Sequence, residues 1–501
     1  MRIGEILDAV YDADVGWRPA TGGIKPVHVA NGLLRALQGE QHDTRRLHEF
    51  VVWWKQGKQP DEARTLEALC EAHPELYSAF TLTKDFDRVR RYADGLLNSD
   101  GALFPSIDHS SFSLTSGLMV TRDNSDRRLG VFGAAILGAP DDSSSLASAV
   151  LAASRRDQPR DPLSALVWPL LDPEPHAVAA GQGEAVAKAL SRAHNRAFVE
   201  SITEAARCLA THERVQGNHM RTLQRAVEFV CVATQAHAQA LAAKGDLSKR
   251  PPALLALSGH RQSPLAAASE RSFEALVRRF EEWLAQRLGE LLKKGKSLTD
   301  GEEPLEADTK DGRRVRALFA RIRGAGKGAP VPSDAVLRER MQHFTSARQL
   351  LGEDAEPAQI IASALVASYA REFDSGGPRR FLRVLGCRVG LLYPHFAGAT
   401  RDKRYRPSVP VLDMLVRACV PAGQAVSLSE FLERLWQRFG VIVGGRRDEG
   451  WDDASFLAQR GVLIDTPSLV ENTDALVREL AAMGLARRYA DDVTFVGDGH
   501  E

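Results

Sequence analysis

The chain has 501 residues, 44% hydrophobic and 26% charged, enough for two to four domains of roughly 100–200 residues each. That composition excludes wholesale disorder and a fibrous architecture. Sixty-five Lys and Arg balance 65 Asp and Glu, so no whole-chain field draws nucleic acid or an anionic membrane, and any polyanion site must be a local patch.

The five cysteines, Cys70, Cys208, Cys231, Cys387 and Cys419, are odd in number and widely spaced, which argues against a disulfide framework or a cysteine-based zinc site. The opening Met1 to Asp8 places charges where a signal peptide needs an apolar core, and no stretch of about 18 apolar residues occurs. A soluble cytoplasmic protein without a membrane partner is expected. The excess of Arg over Lys and the many alanines suggest a GC-rich bacterial genome.

Residues 1–100 read as a helical region, with Trp53, Trp54, Leu66 and Leu69 in short helices. Its segment Asp85, Asp87, Arg88, Arg90 and Arg91 reads as a solvated helical face. Residues 101–175 read as mixed α/β. Phe112, Leu114, Leu118 and Val120, then Leu129, Val131 and Phe132, flank the polar run Arg122 to Asp126 as a hairpin would. A small β element near 101–140 is therefore expected in an otherwise mainly α fold.

Residues 176–397 read as a helical bundle. One apolar stripe runs Phe273, Leu276, Val277, Phe280, Leu284, Leu288, Leu291, and a second runs Leu223, Val227, Val230, Thr234, His237, Leu241 to a stop at Gly245. Linkers are expected near 295–312 and 324–332, around a helix from Val315 to Ile322. Ser333 then caps a helix closed by Gly352, followed by another from about Ala358 to Phe373. No repeat of fixed period is evident, so a solenoid is not expected.

The last unit, 398–501, is the most informative. Val411 to Cys419 gives one helix. Ser427-Leu428-Ser429-Glu430 forms a capping box for a second, with Phe431, Leu432, Leu435 and Phe439 inward and Arg434 and Arg438 on its polar face. Asn472 is expected to cap a third, Thr473 to Met483, ended by Gly484. Leu485 to Tyr489 and Val493 to Val496 then read as a hairpin about Ala490-Asp491-Asp492. Just upstream, Arg379, Arg380, Arg383, Arg388, Arg401, Lys403, Arg404 and Arg406 face Asp402 alone, a net +7 over 31 residues. Such a cluster can supply salt-dependent affinity for phosphates, or be a solvated face with structural ion pairs.

Three helices followed by a hairpin resembles the winged-helix family over residues 408–497. The resemblance implies a third helix in the DNA major groove, through Asn472, Thr473 and Arg478, and a wing on the backbone, through Arg487 and Arg488. With the basic segment (Arg379, Arg380, Arg383, Arg401, Lys403, Arg404, Arg406) these are the candidate contacts to double-stranded DNA. The sequence departs from the family between Phe439 and Asn472, where Gly444 to Trp451 and the apolar run Val462-Leu463-Ile464 replace a short turn. Winged helices also serve as protein docking modules. In general style, a winged-helix-like tail on a helical body is similar to accessory subunits of bacterial anti-phage defence cassettes, which act beside an ATPase, helicase, nuclease or methyltransferase. The expected role is a non-catalytic DNA-binding or assembly subunit.

Catalytic patterns are fragmentary, and no cofactor is expected. Gly324-Ala325-Gly326-Lys327-Gly328 lacks the spacing of a phosphate loop. His212 and His219 are seven positions apart, about 10 Å along a helix, too far to share an ion. They and Glu213 read as exposed polar residues, Gly217 as a helix breaker, and His237 as a hydrogen-bonded core histidine. Asp108-His109-Ser110-Ser111 reads as a turn, because triads converge from separate elements. The alternatives to a DNA-binding subunit are a docking scaffold without DNA contact, and a divergent metal-dependent nuclease or hydrolase using Asp108, His109 and Asp123.

Overall fold

The computed structural model describes residues 3–19, 24–41, 126–153, 176–177, 181–216, 219–260, 262–293, 312–323, 331–352, 354–372, 377–395, 403–448, 451–489 and 493–499. Among them the chain is mainly α, with sixteen α-helices and a few short strands. The first part of the body comprises α1 (Ile3–Val10), a π-helical turn (Tyr11–Val15), α2 (Pro26–Gln38), β1 (Glu40–Gln41), α3 (Leu129–Ile136), α4 (Leu146–Ala153), β2 (His176–Ala177), α5 (Gly181–Leu190), α6 (Ala193–Gln216) and α7 (His219–Ala242). There follow β3 (Ala253–Leu254), α8 (Pro264–Lys293), α9 (Gly312–Arg321), α10 (Asp334–Leu351), α11 (Pro357–Glu372), α12 (Pro378–Val389), β4 (Leu392–Tyr393) and β5 (Arg404–Tyr405). The C-terminal part contains α13 (Val409–Cys419), β6 (Ala425–Ser427), α14 (Leu428–Phe439), β7 (Val441–Ile442), β8 (Arg447–Asp448), β9 (Trp451–Asp452), α15 (Asp453–Ala458), α16 (Thr466–Ala482), β10 (Ala486–Arg488) and β11 (Thr494–Gly497).

Helix α7 is the axis of the body. It packs against α2, α4, α6, α8, α12 and α13, which is why its apolar residues Leu223, Val227, Val230 and Leu241 are all buried. Gly245, at φ 88°, closes it with a bond from its N–H to the Ala240 carbonyl. His237 is fully buried, as expected of a core histidine. It accepts from Trp17 Nε1 at 3.1 Å, and its Nε2 lies 2.9 Å from Asn195 Oδ1. Burial lowers it to about 3, so the ring is neutral.

The hairpin expected around residue 126 is not formed at its second half. Leu129, Val131 and Phe132 lie in α3, because Asp126 caps that helix, accepting from Gly130 N at 3.0 Å and Arg128 N at 3.3 Å. Gly130 then lets α3 cross α2 with its backbone against Gly32. The first half of that hairpin, the candidate catalytic residues Asp108, His109 and Asp123, Trp53, Trp54, Cys70, the Asp85 to Arg91 segment and most of both expected linkers lie outside the described residues.

One hydrophobic core runs from Ile3 to Val496. A second, smaller cluster gathers Leu254, Leu265, Trp436, Phe456, Val462 and Leu469. The strand pair β4–β5 spans the expected boundary near residue 397. Parallel pairing of β3 with β7 joins the body to the segment after α14.

Candidate nucleic-acid interface

The two strands of the C-terminal hairpin pair as read, with Ala486 opposite Val496 and Arg488 opposite Thr494, while the expected turn at 490–492 lies outside the described residues. Strand β6 adds to its far side, giving an antiparallel sheet in the order β10-β11-β6. Ser427 caps α14 by accepting from Glu430 N at 3.2 Å. Glu430 pairs with Arg434 at 2.5 Å. Arg438 is not on a polar face: it is 8% exposed and donates to the Ala418 carbonyl and to Glu204.

The third helix corrects the sequence reading. It starts at Thr466, seven residues earlier than expected, because Asp465 caps it, accepting from Ser468 N at 2.8 Å, and Pro467 occupies its first turn. Asn472 is thereby mid-helix and fully buried. Its Oδ1 accepts from Leu257 N at 2.8 Å and Ser258 N at 3.1 Å, and its Nδ2 donates to the carbonyls of Leu255 at 2.8 Å and Val443 at 2.6 Å. The amide has no capacity left for a base edge. Thr473 Oγ1 donates to the Gly444 carbonyl. Neither residue is a free helix contact. The outer face of α16 exposes Val470, Glu471, Asp474 and Arg478.

The basic segment is also drawn inward. Lys403 and Arg404 are each 4% exposed, so these two are not surface cations. Lys403 donates to the Pro394 carbonyl at 2.8 Å. Arg404 and Arg406 lie over the Tyr393 ring, 4.9 and 5.8 Å from its centroid. Arg388 donates to the Ile24 carbonyl at 3.1 Å, and Arg379, though exposed, pairs with Glu274 on α8. Arg380 and Arg383 are half-buried on α12. Arg401 lies outside the described residues. Arg487 and Arg488 are exposed on the edge strand β10, Arg487 over Tyr489 at 5.4 Å.

What sequence reasoning missed is a buried ionic network that fastens α13 to α6 and α7. Arg225 bridges Glu213 at 2.8 Å and Asp413 at 2.9 Å, and Arg417 donates to Asp413 at 2.8 Å. His212 and Glu213, expected to be exposed, are 3% and 6% exposed. His212 Nε2 donates to the Val420 carbonyl at 2.7 Å while its Nδ1 accepts from Arg417 at 3.0 Å, an arrangement that requires the neutral ring. Burial lowers its pKa, and the neighbouring Arg417 adds to the effect against the raising bond to Val420 and the field of Asp498. Asp413 and Arg417 are four positions apart on one helix, but their partners Arg225 and His212 lie 188 and 205 positions away, so no local spacing announces the network.

Among the described residues no group of three His, Cys, Asp or Glu side chains is placed to hold a metal ion, and no helix is long and apolar enough to cross a membrane. The four described cysteines are buried. Comparison with family models, with curated proteins and with solved structures gave no match.

Proposed function

We propose that the chain is a non-catalytic assembly subunit whose C-terminal unit is a winged-helix-like module used to dock protein, not to read DNA. The order α13, β6, α14, then α16, β10 and β11 beyond the intervening β7, β8, β9 and α15, with β6 pairing β11, supports the winged-helix reading. The observation that carries the choice of docking is the saturated amide of Asn472: the helix that would read bases spends its central polar side chain on the protein's own backbone. Its outer face offers two carboxylates against one arginine, and a phosphate backbone repels that balance. Val470 and Leu463, 48% and 69% exposed, lie on and just before this helix with the acidic pair, and suit a partner surface that is apolar with a basic rim. The setting, beside an ATPase, nuclease or methyltransferase of a bacterial antiviral assembly, rests on the resemblance of the C-terminal order alone.

A second reading, backbone contact through the wing, is favoured by one feature, the adjacent exposed Arg487 and Arg488. Fluorescence anisotropy of labelled duplex DNA over a salt series separates the two. Docking predicts weak binding that the double variant Arg487→Ala/Arg488→Ala leaves unchanged. Tight binding, steeply salt-dependent and lost in that variant, refutes it. In the native host, Val470→Asp with Leu463→Asp is expected to release the chain from its complex without altering its thermal stability.

A further inference from the structure

Helix α16 sits at the periphery, packed chiefly against α8 and the wing strand β10. Leu469, Asn472, Ala475, Leu476 and Leu480 fill its inner side and are buried. The opposite side is a single stripe. Val470, Asp474 and Arg478 recur every four residues, Ala481 continues the row, and all four are exposed. Asp474 and Arg478 have the spacing at which Glu430 and Arg434 of α14 pair, yet among the described residues neither of them forms an ion pair. The stripe therefore presents both signs of charge outward, with neither neutralised by the other.

The signs are ordered along the helix. Glu471 and Asp474 lie toward its start and Arg478 toward its end, where the exposed Arg487 and Arg488 of β10 add to the positive pole. Such a surface is its own complement when turned end for end. A twofold axis midway between Asp474 and Arg478 brings each opposite the other, once on either side of the axis. The same rotation lays Val470, 48% exposed, over Ala481 and Ala482, both small and exposed, so apolar contacts flank the two ion pairs. Parallel alignment would set Asp474 on Asp474 and Arg478 on Arg478, and like charges repel it. Antiparallel alignment also opposes the two helix dipoles, which favours the pair.

We propose that the occupant of this face is a second copy of the chain: two α16 helices pack antiparallel about that axis, Asp474 of each meeting Arg478 of the other. The proposal rests on the docking reading and supplies its partner. The helix has 17 residues, about 26 Å at 1.5 Å per residue. One helix pair is a small interface beside the roughly 1,200–2,000 Å² that stable complexes bury, so the dimer is reversible and grows with concentration.

Sedimentation velocity of the full chain over a concentration series tests this through paired charge reversals. Wild type is expected to move from monomer toward dimer as concentration rises. Asp474→Arg and Arg478→Asp each set like charges across the axis and are expected to weaken the dimer at least about tenfold. An equimolar mixture of the two variants restores both ion pairs, as does the doubly reversed chain, Asp474→Arg with Arg478→Asp. Each is expected to associate as wild type does. Both positions are exposed, and unchanged thermal unfolding verifies that the variants keep the fold. A wild type that stays monomeric throughout, self-association untouched by either single reversal, or a mixture that fails to associate overturns the proposal. The first of these outcomes leaves the docking reading standing with a different protein as partner. That reading falls separately, on tight duplex binding through the wing.

Discussion

Asn472→Ala is the substitution on which the docking argument turns. The side chain satisfies four backbone groups, the N–H of Leu257 and Ser258 and the carbonyls of Leu255 and Val443, in a fully buried setting. Stranding one buried polar group costs about 1–3 kcal/mol. Four stranded together, with water entering the space the amide leaves, give an expected loss of about 3–5 kcal/mol. The assay is urea unfolding combined with hydrogen exchange read at the Leu257 and Ser258 amides. Their protection is expected to fall by about 100-fold or more, since each factor of ten corresponds to about 1.4 kcal/mol. Asn472→Asp is expected to be at least as damaging, because a carboxylate still accepts from the two N–H groups but faces two carbonyl oxygens with no donor. A recognition asparagine would behave in the opposite way, leaving stability intact while abolishing DNA binding. A stability loss below about 1 kcal/mol with both amides still protected would refute the reasoning.

Three further outcomes follow from the same physics. His212 has its pKa lowered in the fold, so its contribution is whole above its unfolded value and is lost as pH falls from there toward the folded one. Urea midpoints at pH 7.5 and 5.5 are expected to differ, and His212→Gln to narrow that difference; an unchanged gap counts against the assignment. Glu228 is raised to about 8 by burial, with Oε2 unpartnered, so the native state holds a proton the unfolded chain releases and stability declines as pH climbs from the ordinary carboxylate range toward 8. Glu228→Gln is expected to stabilise at pH 8 by about 1–2 kcal/mol in thermal unfolding, and destabilisation there would contradict this. Gly130→Ala drives a methyl into the Gly32 backbone at the α2–α3 crossing and is expected to cost about 3 kcal/mol or more. Gly183→Ala, in open space on α5, should instead gain about 0.5–1 kcal/mol.

The long amphipathic helices were legible because their periodicity is a direct image of one-sided burial, as in α7 and α8. Caps that act through a single side chain at the expected place, Ser333 and Ser427, were legible for the same local reason. Asp126 and Asp465 hold the first turns of their helices just as locally, but the first sits in a polar run that reads as a hairpin turn, so its helix was read as a strand, and the second follows the apolar run Val462 to Ile464, so its helix was started too late. Asn472 is the sharper case. An asparagine before a threonine has the look of a cap, and only the approach of the Leu255 to Ser258 chain makes it a buried clamp. The basic segment misled through the same limit: sequence counts the charges of Lys403 and Arg404 but does not say that one finds a carbonyl and the other a tyrosine face.

The short parallel pairing of β3 with β7 sets a timetable for the growing chain. Leu254 leaves the ribosome long before Ile442, its neighbour in the finished sheet, and at about 5–20 residues per second the interval is roughly 10 to 40 s. Through that interval Leu254, Ala256, Leu265 and Ala268 lack the Trp436, Ile442 and Phe456 that later enclose them. The body is thus born with a sticky seam that its last hundred residues must seal. A nonsense codon or proteolytic cut before α14 therefore yields an aggregation-prone product instead of a smaller working protein, and chaperone dependence during synthesis is the physiological trace to look for.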